Sequence, residues 1–246
     1  MNFDNFKISV LILTLILITL FSFQRNNNRN IQNNNIVYNE SNFKFSSKDS
    51  VNKLLKQTNL FSNKILKSKL NLKSIEHAIL TNKFIEYADV SIFVDGKVEV
   101  NIKEKNPVFR VLGKKYYVDD KGEEMPLSNK FSKSVPLILS QIDSVDMLKL
   151  ADLGKFIEQN KFLKNHITSL EFSNNNLNFG LNHFKYNLLI NGFENYESKF
   201  KKYESFFKKV YNSGILDSID TINLNFKNQV IIQRSLIWII RIYMLV

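Results

Sequence analysis

The chain has 246 residues, 44% hydrophobic and 13% aromatic, which is enough apolar content for packed cores and excludes global disorder. Its net charge of +11 is spread along the whole length, with no arginine–aromatic block and no nucleic-acid motif, so the lysines read as solvated basic faces. The absence of cysteine excludes disulfides, thiolate chemistry and zinc sites that need Cys, and it identifies no compartment.

Residues 8–23 read ISVLILTLILITLFSF, with no charge and only Ser and Thr as polar groups. As a helix this run spans about 24 Å, against a hydrocarbon core of about 30 Å. Phe3, Phe6 and the snorkelling stems of Lys7 and Arg25 extend it at both ends. A cleaved signal peptide needs small residues at its cleavage site, and Phe21-Ser22-Phe23-Gln24-Arg25-Asn26 has no such pattern. The run is therefore expected to stay as a membrane anchor. Lys7 precedes it and Arg25 and Arg29 lie after it, so charge alone does not orient it. The few residues ahead of it carry no domain, which leaves function to the residues beyond the helix.

Residues 25–35 are polar and Asn-rich and are expected to be a structureless spacer, with folded structure beginning near Ile36. Phe43-Lys44-Phe45 alternates as a short strand. Ser47 then caps a helix carrying Val51, Leu54 and Leu55, and Asn71 caps a second with Leu72, Ile75, Ile79 and Leu80 as its stripe. Ala88, Val90, Ile92 and Val94 alternate before Asp95-Gly96, and Val98, Val100 and Ile102 after it. A two-residue loop would put these apolar sets on opposite faces, so a three-residue loop or a bulge is expected, pairing Val94 with Val98 and Ile92 with Val100. Strand, helix, helix, strand, strand packs economically as two helices on one face of a three-stranded sheet.

Pro107 ends this unit. Beyond it, Tyr116-Tyr117-Val118 enters a turn at residues 119–122, residues 135–139 form a strand, and residues 144–161 a helix with Leu150, Leu153 and Ile157 inward. Residues 167–172, 177–181 and 186–190 read as strands. Residues 196–211 form an amphipathic helix with Phe200, Tyr203, Phe207 and Val210 on one face and Lys201, Lys202, Lys208 and Lys209 on the other. Ile222, Leu224 and Phe226 alternate with Asn223 and Asn225, and residues 230–232 come after a turn at Lys227-Asn228. This is a second α+β domain in which antiparallel strands dominate.

Catalytic chemistry finds little support. His77, His166 and His183 fall in separate elements without metal-binding spacing, and Asp119, Asp120, Glu123 and Glu124 sit on a turn read as solvated. Gly154 and Gly192 are isolated glycines, and G-x-S-x-G does not occur. Lys103, Lys105 and Arg110 offer contacts to acidic partners or lipid headgroups and also read as a solvated face. No cofactor, metal, nucleic acid or small-molecule substrate is expected.

One region is more specific. Ile75-Glu76, residues 84–90 (FIEYADV), Asp95-Gly96, residues 98–102 (VEVNI) and residues 106–111 (NPVFRV) resemble the POTRA domain of FtsQ/DivIB bacterial cell-division proteins. Residues 116–128 resemble that family's entry into its β domain, and residues 219–232 its terminal strand pair. The resemblance implies a short cytoplasmic tail (1–7), a transmembrane helix (8–24), the linker (25–35), a POTRA-like βααββ domain (36–107), a mainly antiparallel β domain with flanking helices (108–233) and an apolar tail of unassigned role (234–246). It also implies a single-pass type II protein of the inner membrane with periplasmic domains at the division septum. Such a scaffold binds FtsB- and FtsL-type coiled-coil proteins, and its POTRA domain contacts upstream recruiters. Asn223-Leu224-Asn225-Phe226 stands where the family often has Asp-Leu-Arg-Tyr, so both charges are missing.

The expected mechanism is addition of a partner strand to a C-terminal sheet edge, where main-chain bonds supply affinity. The candidate contact residues are Leu224, Phe226, Lys227, Asn228, Gln229, Val230, Ile231 and Ile232. Their apolar members also fit the plain core of a terminal strand. Two other functions stay open on the residues alone: a membrane-anchored periplasmic hydrolase around His166 or His183, and a POTRA-type chaperone for secreted or outer-membrane proteins.

Overall fold

The computed structural model describes residues 3–28, 30–31, 36–38, 43–58, 65–66, 70–142, 145–227 and 229–234. The apolar tail beyond Arg234, Asn228 and Ser144 lie outside them.

The first helix, α1, runs Phe3–Asn27 and is longer at both ends than the uncharged run. Its 25 residues make a rod of about 37 Å, which removes the apparent shortfall against the bilayer. None of its apolar stretch is buried against protein, and Phe6–Asn27 is long and apolar enough to cross a membrane. The Thr14 and Thr19 hydroxyls donate to the carbonyls of Leu11 and Ile16, both at 2.8 Å, which satisfies them without water. The Asn-rich stretch beyond is not wholly structureless. Asn30–Ile31 (β1) pairs antiparallel with Ile65–Leu66 (β3).

The chain divides into two compact units. One is Met1–Glu104 with Ser128–Phe131; the other is Lys105–Leu127 with Ser132–Val246. In the first, β2 (Ile36–Tyr38), β4 (Ile85–Ile92) and β5 (Val98–Glu104) form a sheet in the order β2-β5-β4. The helices α2 (Lys48–Gln57) and α3 (Leu72–Leu80) begin at Ser47 and Asn71, whose side chains accept from the Ser50 and Ser74 N–H groups. Val51, Leu55, Ile75 and Ile79 from the helices meet Ala88, Val90, Val98, Val100 and Ile102 from the sheet in one core.

The first strand of this three-stranded sheet is Ile36–Tyr38 and not residues 43–45. The N–H groups of Lys44, Phe45 and Ser46 all donate to the Glu104 carboxylate, so that segment wraps an anion instead of joining a ladder. Its alternation reflects Phe43, half-buried against the core and edge-on to Tyr38, and Phe45, buried against Phe84 and Phe131. The β4–β5 loop has the expected three residues, but it is displaced one position along the chain. Ile92 pairs with Val98 and Val90 with Val100. The Gly96 N–H donates to the Phe93 carbonyl, and Gly96 takes φ +85°. A three-residue hairpin places its left-handed residue last, so Gly96 closes the loop and Val94 falls within it.

The second unit is a nine-stranded sheet in the order β14-β13-β12-β11-β10-β9-β6-β7-β8. Its strands are β6 (Pro107–Val111), β7 (Tyr116–Asp119), β8 (Glu124–Pro126), β9 (Leu137–Ile138), β10 (Ile167–Ser173), β11 (Asn176–Leu181), β12 (Asn187–Asn191), β13 (Ile219–Asn223) and β14 (Ile231–Arg234). Most neighbours are antiparallel. The short β9 pairs parallel with both β6 and β10, and β12 pairs parallel with β13. The last pairing requires a crossover, supplied by α6 (Tyr196–Val210).

The helix expected over residues 144–161 is two helices, α4 (Met147–Gln159) and α5 (Lys161–His166). Asp146 caps the first. Asn160 interrupts the run and caps the second by accepting from Phe162 and Leu163. Leu150, Leu153 and Ile157 are buried. Gly154 lets α4 lie against β6: a Cβ there would meet Val108 and Phe109 side-chain atoms at 2.6–2.7 Å.

The acidic turn also differs from expectation. Asp119 is buried; one oxygen accepts from the Lys121 and Glu123 N–H groups, and the other lies 3.3 Å from the Lys105 ammonium. Lys103 pairs with Glu86 at 2.8 Å and stays exposed, whereas Lys105 is largely buried in its ion pairs and is not a solvated cation. Lys133 bridges Asn106 and Glu158 nearby. Burial alone would raise the Glu158 pKa, but the Lys133 and Asn106 hydrogen bonds outweigh it and hold the carboxyl below its usual range.

Candidate partner-docking edge

Leu224 is fully buried, and its N–H donates to the Leu189 carbonyl at 3.0 Å. It belongs to the core under the sheet and offers no side chain to a partner. This corrects its place among the candidate contacts: alternation identified an inward residue, not a contact. Phe226 is 47% exposed and lies in a turn, not a strand. Lys227 and Gln229 are exposed, and Val230 and Ile232 are half-buried against the core. Ile231 is 40% exposed.

The turn is held from several directions. The Lys202 ammonium, on α6, donates to the carbonyls of Leu224 and Phe226 at 2.8 and 2.6 Å. Sequence placed Lys202 on a solvated face; the chain crossing beside α6 gives it this second role. The Asn223 side chain accepts from the Asn225 N–H, and the Asn225 side chain accepts from the Asn191 N–H. These two amides, at the positions where charges were expected, therefore build the turn. Lys199 donates to the Asn191 carbonyl at 2.9 Å, and burial, then the charge of Lys202, pushes its ammonium down. A groove of about 410 Å³ beside the turn is lined by Lys201, Lys202, Phe206, Lys209 and Val230, among others.

Backbone alternation assigns each group on β14 a direction. The Leu224 N–H points to β12, so Leu224 and Ile222 face β12, and Asn223 and Thr221 face β14. Asn223 pairs with Ile231, Thr221 with Gln233 and Ile222 with Ile232. Ile231 and Gln233 therefore turn their N–H and C=O groups inward to β13, and Ile232 and Arg234 turn theirs outward. Among the described residues, no strand pairs with that outer side. The opposite edge of the same sheet is β8, only three residues long and ended by Pro126, a residue that cannot donate to a ladder.

The family model described as FtsQ/DivIB, C-terminal related, matches residues 106–232, more than half of the chain. The chain belongs to the FtsQ/DivIB family. No curated protein matches it. The FtsQ/DivIB match runs from the residue before β6 to Ile232, so it includes the first two residues of β14. Membership gives this chain a role in cell division, through protein–protein interactions of the division machinery, within a non-catalytic scaffold family. The single apolar N-terminal helix fits a single-pass membrane protein.

His166 is packed among Phe162, Phe184, Tyr203 and Phe207, and its Nδ1 lies 2.8 Å from the Phe162 carbonyl, an arrangement that explains it as an aromatic-cluster residue. His77 and His183 are exposed. Among the described residues, no group of three His, Cys, Asp or Glu side chains is placed to hold a metal.

Proposed function

We propose that this chain is an inner-membrane scaffold of the divisome, anchored by α1 with its N-terminus in the cytoplasm and its two units in the periplasm. It links early and late division proteins by binding FtsB- and FtsL-type coiled-coil proteins, and a partner segment adds as a further strand beside β14. Contact falls on Phe226, Lys227, Asn228, Gln229, Val230, Ile231 and Ile232, with the outward main-chain groups of Ile232 and Arg234 supplying the pairing. The POTRA-like domain over residues 36–107 contacts upstream recruiters. The observation that carries this reading is the one-sided pairing of β14 among the described residues. The basic groove beside it adds charge that suits acidic side chains on the incoming segment.

The test is co-purification of the full chain from cross-linked cells. Coiled-coil division proteins are expected in the wild-type eluate and depleted when Ile232 is replaced by proline. Equal recovery from both chains would refute docking at β14.

A further inference from the structure

A second exposed feature lies in the first unit. The β4–β5 loop carries two adjacent large apolar side chains in the open: Phe93 is 47% exposed and Val94 69%. The Lys97 ammonium stands 5.8 Å from the Phe93 ring centroid. A hairpin tip has no packing use for such residues, and Gly96 holds Val94 in the loop.

The sheet register says which end of the unit this tip occupies. Strand β2 runs parallel to β5 with Ile36 opposite Val98, so β2 enters the sheet beside the tip. Ile36 comes after the last residue of α1, Asn27, with eight residues between them. That length reaches at most about 30 Å. The chain thus leaves the anchor helix and joins the sheet at the end bearing Phe93 and Val94. Helix α3 brings a further cation to this end. The Glu76 carboxylate accepts from the Val90 N–H, and one turn earlier α3 carries the exposed Lys73. The acidic groups nearby are Asp95, which accepts from the Lys97 N–H within the loop, and the half-buried Glu99.

We propose that the β4–β5 tip seats on the surface of the bilayer that holds α1, with Phe93 and Val94 in the interfacial layer and Lys97 at anionic lipid headgroups. Exposed apolar side chains flanked by lysine suit that layer, where rings enter the acyl boundary and ammonium groups remain among phosphates. The seating fixes the orientation of the first unit on the membrane at a second point beyond its tether. It rests on the reading that α1 is embedded in lipid.

The experiment uses the full chain in nanodiscs of phosphatidylcholine and phosphatidylglycerol with brominated acyl chains. Trp238, the chain's one tryptophan, is first replaced by phenylalanine. Single tryptophans are then introduced as Phe93→Trp, Leu13→Trp and Leu148→Trp. Leu148 is an exposed α4 residue, and Leu13 lies within α1. The Phe93→Trp chain is expected to be quenched at least about twofold more than the Leu148→Trp chain, as interfacial burial requires. Adding Lys97→Glu is expected to reduce that quenching. Quenching of Phe93→Trp no greater than that of Leu148→Trp, with Leu13→Trp strongly quenched, overturns the seating and leaves the anchor intact. An unquenched Leu13→Trp would remove the anchor itself. Quenching unaffected by Lys97→Glu overturns the headgroup contact.

Discussion

Each of the two larger sheets ends in a strand whose outer side is unpaired among the described residues, and these two edges, β4 and β14, are treated differently. The eight-residue β4 is the longer, and a bare strand of that length invites uncontrolled pairing. Its Val90 N–H, near the middle, is taken by Glu76 of the overlying α3, so the strand's own unit occupies part of its edge. On the four-residue β14, the side chains that reach in from outside hold the preceding turn instead. Lys202 and the asparagines fix residues 223–226 and leave the outer groups of Ile232 and Arg234 uncapped among the described residues. One edge is blunted by its own helix. The other is braced at the turn that precedes it.

The strongest way to break this comparison is to remove the brace's foundation. Leu224→Ala should cost about 3 kcal/mol, the order of a fully buried leucine truncation, read as a shift in denaturant midpoint at unchanged slope. Partner capture should fall in step with folded fraction and no further, because Leu224 supports the edge without touching a partner. A pair of prolines separates inward from outward groups. Gln233→Pro removes an N–H committed to β13 and should destabilise β14 by about 3 kcal/mol. Ile232→Pro removes an outward N–H and should leave stability within about 1 kcal/mol while weakening capture about tenfold. Equal stability losses would mean that the alternation along β14 is inverted. The smallest effect concerns the other edge. Glu76→Ala should cost about 1 kcal/mol for the lost bond to Val90. It should also raise self-association, seen by sedimentation, since the N–H it covered becomes available. A monomeric variant would mean that Glu76 is not what protects β4.

Sequence patterns located most elements because they depend on burial, and burial is periodic. Ser47 and Asn71 cap where they were expected, and Val51, Leu55, Ile75, Ile79, Leu150, Leu153 and Ile157 are inside. The same logic failed where one feature mimicked another. Phe43-Lys44-Phe45 alternates like a strand, but Glu104, about sixty residues away, claims its N–H groups. Leu224 and Phe226 alternate together, but the chain turns between them and sends one into the core and the other into solvent. Asp119 sits in turn chemistry that predicts solvation, but it is buried and paired with Lys105.

The apolar N-terminal run, the helix stripes and the paired alternations around Asp95-Gly96 arise from local physics: backbone period, the left-handed tolerance of glycine and the cost of placing leucine in water. These determined α1, α2, α3, α6 and the presence of a hairpin from residues alone. Which strand lies at an edge, which way each N–H on β14 points, and which lysine braces a turn depend on pairings between segments far apart in the chain. Sequence distance carries no record of those pairings, because the Leu224 N–H bonds the carbonyl of Leu189, thirty-five residues earlier in the chain. The candidate edge was therefore legible only as a segment, and the tertiary structure alone separated its buried residue, Leu224, from its exposed ones, Phe226 and Ile231.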